Sequence, residues 1–151
     1  MASDIPITDS IVVESTPSAI VEVCRAILPA LEGNRYDQED VFAVHLALEE
    51  AFTNAIKHGN KMDPAKNVKI EYSVDPDKIE ISISDEGNGF NPQIVPDPRQ
   101  RENLYKAEGR GLFLMRSYMD VIKYNERGNN VRMIRYKEKP SIMKRKNQAQ
   151  T

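Results

Sequence analysis

Two polar side chains, Glu50 and Asn54, lie four positions apart in the stretch from Leu46 to Asn60. On a helix, residues with this spacing lie one turn apart on the same face, and His58 continues the series. A carboxylate can take up a proton, and an amide oxygen is a suitable Mg²⁺ ligand. The pair could therefore serve a metal–phosphate centre, although the same spacing also occurs on ordinary solvated helix faces.

A second group of residues follows a hydrophobic strand and runs from Asp85 to Phe90, with the sequence Asp-Glu-Gly-Asn-Gly-Phe. Asp85 can accept a hydrogen bond from an exocyclic amino group such as that of adenine. Gly87 and Gly89 would let the backbone approach a flat ligand closely or adopt positive φ. The same residue types are common in plain turns, so this motif alone leaves both interpretations open.

The third motif, Gly109-Arg-Gly-Leu112, opens a helix directly after a long segment without periodicity. Backbone N–H groups at a glycine-rich helix start suit phosphate. Arg110 and the preceding Lys106 could add charge-assisted hydrogen bonds. Glycines that allow tight packing at a loop-to-helix joint are an equally good explanation of this motif in isolation.

The helices that must position these motifs are indicated by apolar residues at three- and four-residue spacing. A central helix is predicted to begin near its N-cap Asp37 and to end at Gly59. An earlier helix is predicted from the Ser15-Thr-Pro-Ser start to about Leu31, with Pro29 kinking or shortening its last turn. The side chains that it should bury are Ile20, Val21, Cys24, Ile27 and Leu28.

Strands are predicted where apolar and polar residues alternate. The first covers Ile7 to Glu14, and an antiparallel hairpin pairs residues 68–74 with 79–84, one face buried and the other wet. A helix from Gly111 to about Asp120 and a second hairpin, 121–125 with 130–136, complete the chain. Residues 86–108 lack periodicity, and a segment of that length is usually functional or disordered.

Composition limits the classes of protein to consider. A chain of 151 residues with 40% hydrophobic and 29% charged residues is typical of one globular domain, here 1–151. A net charge of -2 gives no pull toward nucleic acid or anionic membrane, and no apolar run is long enough to span one. Cys24 is the only cysteine, which favours an inert thiol. The protein is expected in the cytoplasm, with a flexible basic tail at 138–151.

Several common catalytic and phosphate-binding motifs are absent from the sequence. No G-x-x-x-x-G-K-[ST] or G-x-G-x-x-G string occurs, which excludes P-loop and Rossmann sites. His45 and His58 with one cysteine do not make a zinc site, and there is no G-x-S-x-G elbow.

Taken in order, the three motifs resemble those of the GHKL (Bergerat-fold) ATP-binding superfamily, which includes gyrase, the Hsp90 chaperones, histidine kinases and MutL. The string Glu49-Glu-Ala-Phe-Thr-Asn-Ala-Ile-Lys-His-Gly59 is more specifically similar to the RsbW-type anti-sigma factor serine kinases. So is Gly109-Arg-Gly-Leu-Phe-Leu-Met-Arg-Ser-Tyr-Met-Asp120. The resemblance covers about residues 8–137. It implies an α/β two-layer sandwich with a mixed, mainly antiparallel sheet and helices on one face.

The resemblance also assigns roles to residues. Glu50 would be the general base that accepts the serine hydroxyl proton, and Asn54 would hold Mg²⁺ on the nucleotide phosphates. Asp85 would read adenine. Residues 91–108 would form a lid over ATP. The remaining nucleotide contacts implied are the adenine wall of Gly87 and Gly89, and the phosphate contacts of Lys106, Gly109, Arg110 and Gly111.

A protein of this kind binds ATP and Mg²⁺, sequesters a sigma factor and phosphorylates a serine of a STAS-type anti-anti-sigma partner. Family members are commonly homodimers, and no direct contact with nucleic acid or membrane is implied. Many family kinases carry a basic residue two positions before the first lid glycine, where this chain has Ala107. That departure bears on the rate of phosphoryl transfer more than on nucleotide binding.

Three alternatives stay open from sequence. The chain could be a non-enzymatic, ATP-dependent binding module that holds its partner without transferring phosphate. It could also be a histidine-kinase catalytic module acting in trans, although it has no dimerising phospho-acceptor helix pair. A domain whose motifs have decayed is the third, and the intact Glu50, Asn54 and Asp85 count against it.

Overall fold

The computed structural model describes residues 7–87 and 117–137. Strand β1 (Ile7–Glu14) leads through a 3-10 turn (Pro17–Ala19) into helix α1 (Ile20–Gly33). Helix α2 (Gln38–Asn54) follows and passes directly into a π-helical turn (Ala55–Gly59). The remaining strands are β2 (Asn67–Val74), β3 (Lys78–Asp85), β4 (Val121–Tyr124) and β5 (Asn130–Tyr136).

The strands form one five-stranded sheet in the order β1-β2-β3-β5-β4. Each neighbouring pair among the described strands is antiparallel. The predicted α/β sandwich with a mainly antiparallel sheet is thus confirmed, and so are β1 and both hairpins, with ends that differ by a residue or two.

Side chains alternate between the two faces of this sheet, as the sequence predicts. On β2 and β3 the buried positions are every second residue, and the intervening polar residues are half-buried or exposed. The buried face packs against α1 and α2 around a continuous apolar core. Its largest fully enclosed side chains are Phe52, Ile27, Leu31, Leu48, Ile56, Ile70, Ile79, Ile81, Ile83, Met133 and Val23.

Helix α1 departs from the prediction in two respects. The face that it buries is Val23, Ile27 and Leu31, and Val21 is 50% exposed, so the assignment of Val21 to the core was wrong. Residues two apart on a helix point in nearly opposite directions, and Val23 takes the core position. Pro29 does not shorten the helix, which continues to Gly33 with Pro29 on its exposed side.

Helix α2 begins as predicted. The Asp37 side chain accepts a hydrogen bond from the Asp40 backbone N–H at 2.8 Å, which is the N-cap arrangement. Asp40 is itself buried and accepts a hydrogen bond from Nε of Arg135 on β5 at 2.8 Å. Arg135 also donates to the Tyr118 carbonyl. This buried ion pair ties the start of α2 to the sheet, at the end of β5 far from the β4–β5 turn.

Candidate functional site

A pocket opens where the end of α2 meets the end of β3. Two residues singled out from the sequence, Asn54 and Asp85, line it together with Gly59. The rest of the lining is Ala51, Ala55, Ile83, Tyr124, Gly128, Asn129, Asn130 and Val131. The structure therefore brings Asn54 of the first motif and Asp85 of the second together at one place, whereas Glu50 is not among the lining residues.

The first motif lies on α2. Glu50 and Asn54 are both half-buried and both belong to the regular α-helix, so they lie one turn apart as predicted. Asn54 reaches the pocket, and Glu50 lies one turn toward the helix N-terminus. His58 is exposed and follows in the π-helical turn, whose hydrogen bonds span five residues, so its register differs from the four-residue repeat.

The π-helical turn determines which residue packs against the Asp85 side chain. It widens the end of the helix, and the Asn60 N–H closes it with a 2.8 Å hydrogen bond to the Ala55 carbonyl. Such turns occur mostly as single turns within helices, frequently at functional sites. Here the turn sets Gly59 directly against the Asp85 carboxylate.

Asp85 is the last residue of β3 and continues the alternation of Ile79, Ile81 and Ile83, so it faces the helices. Its Oδ1 accepts a hydrogen bond from the Gly87 N–H at 2.9 Å. Burial raises the pKa of Asp85, and the Gly87 N–H and the positive charge of Lys66 lower it in part. A partly desolvated carboxylate of this kind gains from a polar donor in the pocket.

The glycines of the site are required by close approach. A Cβ on Gly59 would lie 2.2 Å from both Cγ and Oδ2 of Asp85. A Cβ on Gly87 would lie 1.9 Å from the Gly59 carbonyl oxygen. Gly87, for which close approach to a ligand or positive φ was predicted, is thus needed for contact with the protein's own backbone.

The β4–β5 turn forms a wall of the pocket that the sequence analysis treated only as a hairpin turn. Its Asn129 carbonyl accepts a hydrogen bond from the Asp85 N–H at 2.9 Å, which fixes the wall beside that residue. Gly128 has φ 76°, a left-handed conformation suited to glycine. Asn130, which follows the turn, donates hydrogen bonds to the hydroxyl groups of Ser82 and Ser84 on β3. No sequence signal indicated that this turn lines the pocket.

The remaining predicted site residues lie outside the described residues, as do the predicted lid, the helix start at Gly111 and the basic tail. They are Gly89, Lys106, Gly109, Arg110 and Gly111, with Ala107 beside them. Within 7–87 and 117–137 no group of three or more His, Cys, Asp or Glu side chains could hold a metal ion.

Two further expectations bear on the site's surroundings. Cys24 is partly buried on α1, and burial, with the charge of Glu49, raises its pKa to about 11. The thiol is therefore protonated at neutral pH, which agrees with the predicted inert role. In the part of the chain that the structure describes, no helix has the length and apolar character needed to cross a membrane.

The antiparallel sheet, the two helices on one face and the pocket at the end of α2 define a histidine kinase-like ATPase domain. The family of that description matches residues 13–135. Similarity to individual proteins defines a smaller group within this class: the chain belongs to the RsbW family of serine-protein kinases.

Two relatives illustrate that placement. Serine-protein kinase RsbW of Staphylococcus aureus (strain MSSA476) is 35% identical over 118 residues, covering 73% of each chain. Its counterpart from Listeria monocytogenes serovar 1/2a is 32% identical over 108 residues, covering 67% of this chain and 69% of the relative.

A solved structure agrees on the fold. The chain is similar to the crystal structure of the RsbU and RsbW domains of Rv1364c from Mycobacterium tuberculosis, with a TM-score of 0.59 at 14% identity. The likeness covers 86% of this chain and 31% of that one.

Proposed function

We propose that this protein is an ATP-binding anti-sigma factor that sequesters a sigma factor and phosphorylates a serine of a STAS-type anti-anti-sigma protein. The observation that carries the proposal is the shared pocket of Asn54 and Asp85, which joins a candidate phosphate-side ligand to a candidate base-reading carboxylate. The serine-protein kinase name of the RsbW relatives supports the transfer reaction.

Asp85 would recognise adenine. Its carboxylate accepts hydrogen bonds only, so it selects a ring that presents an amino group. The Gly87 N–H holds Oδ1 at 2.9 Å and the absence of a side chain at Gly59 leaves room for the carboxylate. Gly89, outside the described residues, would complete this wall.

Glu50 and Asn54 would act at the phosphate end. Bound ATP would supply the transferable phosphoryl group, and Mg²⁺ would neutralise the charge of the phosphates. The Asn54 amide oxygen suits the ion as a hard ligand, and Glu50 would accept the proton of the incoming serine hydroxyl. The phosphate contacts proposed from the sequence are Lys106, Gly109, Arg110 and Gly111.

The partners follow from the same proposal. Sigma factor and anti-anti-sigma protein are both proteins, and a net charge of -2 gives this chain no general attraction to nucleic acid. Action on a sigma factor puts the protein in the cytoplasm. We extend the proposal to a homodimer, the assembly that is common in the family.

Incubation with γ-labelled ATP tests the function directly. The wild-type protein is mixed with the candidate anti-anti-sigma proteins encoded beside it, and the label is followed for hours because Ala107 replaces a basic residue of the family. We expect acid-stable label on a partner serine. ATP and sigma binding without label would favour the sequestering module, and label on a histidine would favour transfer of the histidine-kinase type.

A further inference from the structure

Asn60 is fully buried directly after the π-helical turn. Both N–H donors of its amide and its amide oxygen make hydrogen bonds. Nδ2 donates to Ser15 Oγ at 2.6 Å and to the Asn67 carbonyl at 2.9 Å. Oδ1 accepts from the Glu86 backbone N–H at 2.7 Å. A buried and fully paired amide of this kind fixes the segments that it joins.

Three of these segments form a closed ring of hydrogen bonds. Asn60 donates to the Asn67 carbonyl, the Asn67 N–H donates to the Glu86 carboxylate, and the Glu86 N–H donates to Asn60 Oδ1. Ser15 extends the ring to β1 and to the loop before β2, since its Oγ donates to the Lys66 carbonyl at 2.8 Å. The ring therefore connects the helix end, the start of β2 and the end of β3.

The backbone after Asn60 is strained in a way that serves this ring. Lys61 and Met62 have φ of 53° and 61°, a left-handed conformation that is costly for residues other than glycine. The two residues turn the chain back toward β2, and the Met62 N–H donates to the Ile56 carbonyl at 2.7 Å. Strain of this kind persists only where the surrounding contacts hold it, and it is often found at functional sites.

The ring adjoins the Asp85 site through two of its residues. Asn60 follows Gly59, the residue against which the carboxylate lies, and it binds the N–H of Glu86, the residue after Asp85. The Asp85 N–H is bonded in turn to the Asn129 carbonyl. Without Asn60 Oδ1, the peptide between Asp85 and Glu86 would lose its anchor on the helix side.

We infer that Asn60 is a positioning residue for base recognition: by holding Glu86 to the helix end it fixes the Asp85 carboxylate where a purine 6-amino group can reach it. The inference rests on the proposed function, in which Asp85 reads adenine. It adds a residue that is not among those lining the pocket. Asn60 therefore controls selectivity for the base, in addition to the stability that its buried hydrogen bonds contribute.

The test compares ATP with inosine triphosphate, which carries a carbonyl oxygen in place of the 6-amino group. Dissociation constants of both Mg²⁺-bound nucleotides are measured calorimetrically for the wild type, Asn60→Ala and Ser15→Ala. The wild type should prefer ATP by ~10-fold or more, since the carboxylate is an acceptor only. Asn60→Ala should bring this ratio close to one.

Ser15→Ala is the matched control. It removes one hydrogen bond to the same buried amide and weakens the same junction, but it leaves Asn60 Oδ1 on the Glu86 N–H. Unfolding midpoints should fall for both variants, while the ATP preference should survive in Ser15→Ala. General destabilisation lowers the affinity for both nucleotides together, so it does not change the ratio.

The outcomes separate the two proposals. A wild type that binds neither nucleotide overturns the proposed function. A wild type that prefers ATP, with an unchanged preference in folded Asn60→Ala, overturns the role of Asn60 alone. If Asn60→Ala does not fold, Asn60→Leu, which keeps about the same side-chain volume but lacks the acceptor oxygen for the Glu86 N–H, takes its place. Its ratio should likewise fall close to one, and an unchanged ratio overturns the inference.

Discussion

Substituting Gly59 with alanine should displace the group proposed to recognise adenine. The new Cβ would lie 2.2 Å from Cγ and Oδ2 of Asp85, where real Cβ atoms essentially never come closer than 3.0 Å. The obstructing atoms belong to a side chain, so the carboxylate should rotate away while the backbone keeps its course. That movement also breaks the 2.9 Å hydrogen bond from the Gly87 N–H to Oδ1.

The expected size of the effect follows from these contacts. Crowding at a packed site costs about 1–3 kcal/mol of folding free energy. Losing the proposed hydrogen bond between the adenine amino group and the Asp85 carboxylate costs ~1.5–3 kcal/mol of binding free energy. That loss should raise the ATP dissociation constant of Gly59→Ala by ~10- to 150-fold. Titration calorimetry with ATP and Mg²⁺ measures the affinity, and urea unfolding measures the stability.

Two other glycines provide the comparison. Gly33→Ala places a Cβ with no atom within 4 Å at the last position of α1, so its affinity should equal that of the wild type and its stability should not fall. Gly87→Ala meets the Gly59 carbonyl oxygen at 1.9 Å, and it should lose more stability than Gly59→Ala because backbone must move. A folded Gly59→Ala protein with wild-type affinity for ATP would refute the proposed place of the Asp85 carboxylate.

Further substitutions test the other side chains. Burial raises the folded-state pKa of Asp85, so the stability that this group contributes is lost as the pH rises through that pKa. At pH 7, Asp85→Asn should therefore unfold at a urea concentration no lower than that of the wild type, and it should bind ATP more weakly. Wild-type ATP affinity should fall as the pH drops through the same raised pKa, which calorimetry at several pH values checks. Asn54→Ala should lower both ATP affinity and label transfer, whereas Glu50→Gln should bind ATP normally and transfer ~10²–10⁴-fold more slowly. Arg135→Met leaves the buried Asp40 carboxylate without its ion-pair partner and should lower the free energy of unfolding by ~3–5 kcal/mol in the same urea assay.

The strands were predictable because alternation and turn residues agree at each of them. In β2 and β3 every second residue is a β-branched or aromatic side chain in the core, and Asp75 closes the turn by accepting the Lys78 N–H. Periodicity is less decisive on α1, where neighbouring apolar residues compete for the core. Val21 and Val23 fit a helical stripe equally in sequence, and only packing against α2 and the sheet selects Val23.

The site was predictable from sequence in its residue types but not in its construction. Asn54 and Asp85 are far apart in the chain, and their pairing depended on the resemblance to a known family. No local pattern announces the π-helical turn, since Ala55 to Gly59 fits the end of an ordinary α-helix. The burial of Asn60 depends on partners from three other segments, which no local sequence pattern indicates.

Mapping the ATP contact by backbone amide chemical shifts tests the central claim most directly. On addition of ATP and Mg²⁺ to the labelled wild-type protein, we predict the largest shifts at Gly59, Asp85 and Asn129, which meet at the pocket. The amides of Asp40 and Arg135 should hardly move, because Arg135 pairs with Ile79 at the opposite end of β3. Shifts concentrated around Asp40 and Arg135, or none at Asp85 at saturating nucleotide, would contradict an ATP site at the end of α2.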